Sequence, residues 1–147
     1  MMGVSEQEIN LQCDALFKQP VHKFVARQLS LIDAQLSLLI PKLDITIPII
    51  YIKDRLYLIG SKRMSLDIQN KILVIMTSDG YFEKFVEYIV KNHRYHERAL
   101  FLYMIKSGQS LEWVIDTLFN GRKIKNVLKE YHESSCGDDA SYDSMHY

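Results

Sequence analysis

Apolar and polar positions change their spacing twice along the chain, which divides it into three regions. Over about 5–40 the spacing is helical. Ser5 followed by Glu8 forms a capping box, in which the hydroxyl accepts from an early amide and the carboxylate reaches back. Ile9, Cys13, Leu16 and Phe17 then recur on one face and predict a first helix. Pro20 interrupts it, and because proline fits a first turn, a second helix is predicted from there. Its stripe is Val21, Phe24, Val25, Gln28, Ile32, Gln35, Leu36 and Leu39, ending at Pro41. A helix this apolar must pack on the rest of the chain or on a partner.

From about 45 to 77 the texture becomes that of strands. Ile45, Ile47, Ile49, Ile50 and Tyr51 form one run, with Pro48 pointing to a sheet edge or a bulge. Lys53-Asp54 separates it from Leu56-Tyr57-Leu58-Ile59, and Gly60-Ser61-Lys62 forms the next turn. Met64, Leu66 and Ile68 alternate with polar residues as in a half-buried strand. Gln69-Asn70-Lys71 then leads into Ile72–Met76. Tight turns between short strands imply antiparallel pairing.

Beyond about 81 the helical period returns. Ser78 or Asp79 is the expected cap of a helix with Phe82, Phe85, Val86, Ile89 and Val90 on one face. A further helix is expected over 99–105, ending near Gly108. Another is capped by Ser110, buries Leu111, Val114, Ile115 and Leu118, and stops at Asn120-Gly121. Residues 122–131 are expected to form a short last helix, and 132–147 an acidic, disordered tail. The fold class predicted is α+β: a small antiparallel sheet flanked by an N-terminal helical arm (1–41) and C-terminal helices, the sheet and those helices spanning 42–131.

Composition narrows the function. The 147 residues are 48% hydrophobic and 24% charged, the range of an ordinary globular domain. Lys and Arg total 18 against 18 acids. That balance removes bulk attraction as a reason to bind nucleic acid. Met1 to Glu8 carries acids and no basic-then-apolar leader, and no apolar run reaches the roughly 18 residues of a membrane span. Cys13 and Cys136, one near each end, cannot build a cysteine-rich zinc site, and a disulfide framework is not expected. A cytoplasmic chain with no nucleic-acid or membrane partner is the expectation.

Reaction chemistry is sparse. The glycines fall in no phosphate-cradling pattern, and neither a GxSxG elbow nor HExxH is present. His93 and His96, at i and i+3, could offer two metal ligands, but no second motif supplies a third; a solvated helix end is the plainer explanation. Asp44, Asp54, Asp67 and Asp79 sit where turns and polar strand faces want aspartate anyway. Cys13 and Trp113 lie on apolar helix faces and are expected to be packing residues. The expectation is no enzyme, no cofactor and no metal.

Charge is unevenly placed despite the zero sum. Lys53, Arg55, Lys62, Arg63 and Lys71 gather around the strand turns. Arg122, Lys123, Lys125 and Lys129 follow within one acid-free stretch, and 130–147 holds five acids with no Lys or Arg. Two basic patches could therefore face a polyanion.

The segment from Tyr57 to Ile89 carries a family resemblance. Tyr57-Leu58-Ile59-Gly60 ends a strand, an alternating strand follows, and Leu73–Met76 runs into Thr77-Ser78-Asp79-Gly80-Tyr81. Phe85-Val86-Glu87-Tyr88-Ile89 then opens a helix. In order and spacing this resembles the growth-arrest-specific-2-related (GAR) domain. Ser78-Asp79-Gly80 stands where that family has three glycines, and Met76 where it has arginine. The resemblance implies binding to tubulin or microtubules and other cytoskeletal proteins, with Lys62 and Arg63 in the family's polar turn as leading contacts. Charge alone adds Lys53, Arg55, Lys71, Arg122, Lys123 and Lys125. Gly60, Gly80 and Tyr81 become structural residues: Gly60 so that Lys62 and Arg63 project from an exposed turn, Gly80 to turn strand into helix, Tyr81 to fold over the helix start. A composition rich in Ile, Lys and Tyr fits an AT-rich protist coding background, where the ciliary axoneme is a natural home. An adaptor docking through its apolar arm, Val21 to Leu39, without touching tubulin, is the alternative.

Overall fold

The computed structural model describes residues 5–122. The short helix over 122–131, the tail, Lys123, Lys125 and Cys136 lie outside the described residues, apart from Arg122. In chain order the elements are α1 (Glu6–Leu16), α2 (Leu31–Lys42), β1 (Ile49–Lys53), β2 (Leu56–Ile59) and β3 (Lys62–Gln69). They continue with β4 (Ile72–Met76), β5 (Phe82–Lys84), α3 (Phe85–Ser107) and α4 (Leu111–Phe119). The architecture is α+β, with the strands in the order β1-β2-β3-β4-β5 and every neighbour antiparallel.

The ladder is staggered. The first half of β3 pairs with β2, from Lys62 opposite Ile59 to Ser65 opposite Leu56. Its second half pairs with β4, from Leu66 opposite Ile75 to Gln69 opposite Ile72. The longest of the described strands, β3 joins a β1-β2 hairpin to a β4-β5 hairpin. The sheet buries Ile49, Tyr57, Ile59, Leu66, Leu73 and Ile75 against Ile32 and Leu36 of α2 and Phe85, Tyr88 and Ile89 of α3.

A second apolar cluster sits apart. Ile9, Cys13 and Phe17 from α1 and its C-terminal edge pack on Leu100 and Phe101 of α3 and Val114 of α4. Helix α3 has 23 residues, about 35 Å of length, and its two halves serve the two clusters. The N-terminal helical segments thus part company, α1 riding on the far half of α3 and α2 covering the sheet.

Three of the caps read from the sequence form as expected, but Ser78 and Asp79 cap no helix: α3 begins after Lys84, which makes no side-chain cap bond. Ser5 Oγ accepts from Glu8 N at 3.0 Å and Ser110 Oγ from Trp113 N at 3.1 Å. Gly108 ends α3 in the left-handed region. Cys13 is fully buried and Trp113 half-buried in the helical cluster.

Five expectations need correction. The second helix begins at Leu31, ten residues after the expected start near Val21. Ser30 caps it, and the preceding stretch is held extended by tertiary bonds such as Val21 N to Thr46 O at 3.0 Å. Pro41 lies within its last turn, where the missing N–H forfeits a single bond. Ile45 to Pro48 are buried but lie outside the strands; β1 starts at Ile49 and, as Pro48 suggested, forms an edge. Phe82–Lys84 is a strand instead of a first helical turn, because β4 gains a second partner there, with Phe82 opposite Met76 and Lys84 opposite Val74. Finally, 99–105 is no separate helix but the C-terminal part of α3.

Candidate functional site

Three polar clusters interrupt the apolar packing, and each ties elements distant in sequence. In the first, His96 of α3 meets the β2-β3 turn. Ser61 N donates to His96 Nδ1 at 3.0 Å, and Tyr88 Oη lies 2.8 Å from Nε2. The bare Nδ1 places the ring proton on Nε2, which donates to Tyr88. Burial, reinforced by the positive charge of Lys62 and by repulsion from His93 when that ring is protonated, pushes the imidazole down to about 3. Ser61 Oγ is 2.9 Å from Nδ1, the spacing of a nucleophile and its base. That ring nitrogen is already taken by a backbone N–H, and an imidazole so reluctant to protonate is a poor base near neutrality. The cluster is a structural joint.

Gly60 completes it. Its φ is +61°, and a β-carbon there would stand 2.5 Å from His96 Cγ. Glycine is required both by the backbone and by the ring packed against it.

One turn back, His93 faces another way. Thr46 N donates to His93 Nε2 at 3.0 Å, so its proton sits on Nδ1, 3.4 Å from Glu97 Oε2. Thr46 Oγ1 donates to the same carboxylate oxygen at 2.8 Å. Arg94 extends the network, 2.9 Å from Glu97 and bonded to Asp14 of α1. Arg98 holds Glu6 at 2.8 Å and Asn10 at 3.1 Å, so ion pairs clasp α1 to α3. The expected solvated helix end is corrected: both histidines lie inside α3, His96 buried and His93 half-buried, because they satisfy backbone amides of facing segments. They point at different partners, and among the described residues no group of three or more His, Cys, Asp or Glu could hold a metal ion.

The third cluster had no notice from the sequence. Asp33, fully buried at the start of α2, accepts from the Arg27 backbone N at 2.8 Å and from Arg27 Nε at 3.0 Å. Tyr57 Oη donates to its other oxygen in a short bond. Burial alone would raise the Asp33 pKa, but the bonds from Tyr57 and Arg27 outweigh it and hold the carboxyl below its ordinary value. Tyr57 is pushed up to about 12, first by burial and then by its carboxylate partner. Arg27 stacks 3.5 Å above the Tyr51 ring. The available signal was an arginine and an aspartate on either side of the capping Ser30; their distant partner Tyr57 is a matter of folding.

The candidate contact residues fall at separate places. Lys53 and Arg55 flank the β1-β2 turn and Lys71 lies in the β3-β4 turn, all three exposed and on one end of the meander. The stagger of β3 sets those turns about 13 Å apart. Arg55 lies 3.7 Å from Asp67. Lys62 and Arg63 are at the opposite end, and they do not project from an exposed turn. Both start β3, half-buried, because Ser61 is drawn in beneath His96. Lys62 Nζ lies 5.1 Å from the Tyr95 ring centroid. Arg63 Nη1 occupies the space a side chain on Gly121 would fill, which brings Arg63 to the turn preceding Arg122.

Gly80, at φ +85° in an open turn, joins strand to strand instead of strand to helix. Tyr81 is 73% exposed and does not fold over the helix start, since three strand residues intervene before α3. Asp44 and Asp54 adopt positive φ in turns, Asp79 is exposed in its turn, and Asp67 bonds Ile68 N; the four do not converge.

Among the described residues no helix is long and apolar enough to cross a membrane. No protein-family model, no curated protein and no solved structure matches this chain.

Proposed function

We propose that this chain is a non-enzymatic, microtubule-associated structural protein, with a ciliary axoneme as a fitting location. One observation supports the reading: the GAR-like elements follow one another in the motif's order. Tyr57-x-x-Gly60 stands at the end of β2, β3 follows, β4 enters a turn with Gly80 at positive φ, and the aromatic-rich run from Phe85 lies in α3, with β5 inserted before the helix that the motif places directly after its glycines. The buried His, Ser, Tyr and Asp groups are occupied with holding elements together, which fits a binding scaffold.

Exposed cations at the Lys53–Lys71 end are better placed for an acidic lattice than Lys62 and Arg63, which are half-buried. Each such contact is worth about 0.2–1 kcal/mol and is screened by salt. The test is co-sedimentation with polymerised tubulin at low salt. Pelleting that drops several-fold in Lys53→Glu/Lys71→Glu, with unchanged thermal unfolding, is the expected result. A wild-type chain that stays in the supernatant rejects direct binding.

A second reading, an adaptor without direct tubulin contact, is favoured by the apolar residues left exposed on α2 and the segment before it.

A further inference from the structure

Helix α2 is apolar on both sides. Ile32 and Leu36 face the sheet, while Leu31, Ala34, Leu38 and Pro41 face outward, with Ser37 and Lys42 the polar residues among them. Leu31 and Leu38, two turns apart, are each more than two-thirds exposed. The segment before the helix adds Val25 and Leu29, and Leu29 is held fully exposed at φ +64°. A non-glycine residue in that region costs about 1 kcal/mol or more, which the Arg27, Ser30 and Asp33 bonds around the turn offset while the leucine side chain itself buries nothing. Val25, Leu29, Leu31 and Leu38 are together exposed along this stretch of chain, an apolar surface of the kind that partners cover.

Charge says what covers it. Between Pro20 and Leu43 the acid is Asp33 alone, buried and bound to Arg27, whereas Lys23, Arg27 and Lys42 are exposed. Lys71 joins this rim, because Gln35 Nε2 donates to its carbonyl at 3.1 Å. The outer side of α2 thus offers leucines bordered by cations, with Asp44, two residues past Lys42, the exposed acid at its C-terminal end. We propose that this face docks an acidic amphipathic helix of another protein, whose apolar ridge lies along Leu31 and Leu38 and whose carboxylates meet Lys23, Lys42 and Lys71. A helix suits the face better than a lipid surface does. The apolar residues are few, they are spaced as a helix ridge, and the aromatic residues that favour a membrane interface are missing from them.

This inference rests on the docking reading above and specifies its surface. The probe is a fluorescein-labelled synthetic helix with leucines at i, i+3 and i+7 and flanking glutamates, titrated with the full chain. Its twin carries lysines for the glutamates. The expected result is saturable, salt-sensitive anisotropy, at least about tenfold weaker for the twin and for Leu31→Ser/Leu38→Ser, whose exposed substitutions leave thermal unfolding unchanged. No binding, or equal binding of the twin, overturns the proposal. So does a concentration-dependent dimer lost in the double variant, which gives the face to a second copy. Flotation with phosphatidylserine vesicles, lost in the same variant, assigns it to lipid and likewise overturns it. Microtubule pelleting of the Leu31→Ser/Leu38→Ser chain separates the two questions, since failure of the peptide experiment leaves pelleting untouched.

Discussion

Gly60 and His96 share one space. The imidazole of His96 lies where a side chain on residue 60 would go, and the same ring accepts the N–H of the next residue, Ser61. Helix α3 is thereby locked to the β2-β3 turn from two directions. Gly60→Ala meets both a steric overlap at 2.5 Å and a positive φ, and is expected to cost about 2–4 kcal/mol. Gly80→Ala has the positive φ but open space, and is expected to cost about 1 kcal/mol. Urea unfolding of the two variants checks the difference; equal losses would show that the ring does not fix the glycine.

Acid is expected to loosen the same joint. His96 falls to about 3 in the folded protein, from an ordinary 6.5, so the unfolded chain takes up the extra proton. Stability is therefore greatest above pH 6.5 and declines as pH falls towards 3, by about 1.4 kcal/mol per unit for this group. His93 is lowered as well, by burial first, opposed by Glu97 and assisted by Arg94, and adds a slope of the same sign. The groups facing His96 are Ser61, Lys62, Tyr88 and Tyr95. Unfolding free energy followed from pH 7 to 4 should show a shallower slope in His96→Gln than in wild type. Parallel slopes would remove His96 as the source.

The carboxylate at the head of α2 is expected to matter more than its surface partner. Asp33→Ala leaves the buried Tyr57 hydroxyl without its acceptor, a loss of about 1–3 kcal/mol. Arg27→Ala, whose side chain is 38% exposed, should cost less. In a double-mutant cycle, Asp33→Ala and Tyr57→Phe together should cost less than their sum. Additive losses would mean that the short bond carries no coupling.

Leu29 offers a test with the opposite sign. It is fully exposed at φ +64°, so Leu29→Asn relieves strain without removing packing. The variant should be more stable by about 0.5–1 kcal/mol, read as a higher melting midpoint, while binding the acidic helix less well. A lower midpoint would show that the leucine is held by contacts in the free chain.

Local rules carried a large part of the fold into view. Ser5, Ser110 and Gly108 end or begin helices through bonds within a few residues, so their roles are readable from spacing. The hairpin turns at Asp54, Gly60 and Asn70-Lys71 all take positive φ, and strands lie between them where the sequence places them, although their burial does not alternate: β3 is half-buried along most of its length with Leu66 alone fully buried. The elements misplaced are those where the local period permits two answers. Phe82 and Phe85 fit a helix face equally well, and pairing of Phe82 with Met76 decides for strand. Val21 to Gln28 has helical spacing, but Thr46, Asp33 and Tyr51 draw it out as an extended cover.

By itself, then, the sequence determined an antiparallel sheet between helices and most of the residues of its turns and caps. Those follow from backbone preferences and side-chain spacing, which act over a few residues. Tertiary structure alone decided that His93 and His96 serve backbone amides, that Lys62 and Arg63 are half-buried, and that α1 and α2 cover different cores. It also decided which apolar face of α2 remains open. Each of those outcomes depends on which distant segment arrives to satisfy an amide or bury a side chain, and that choice is made by the whole chain packing at once.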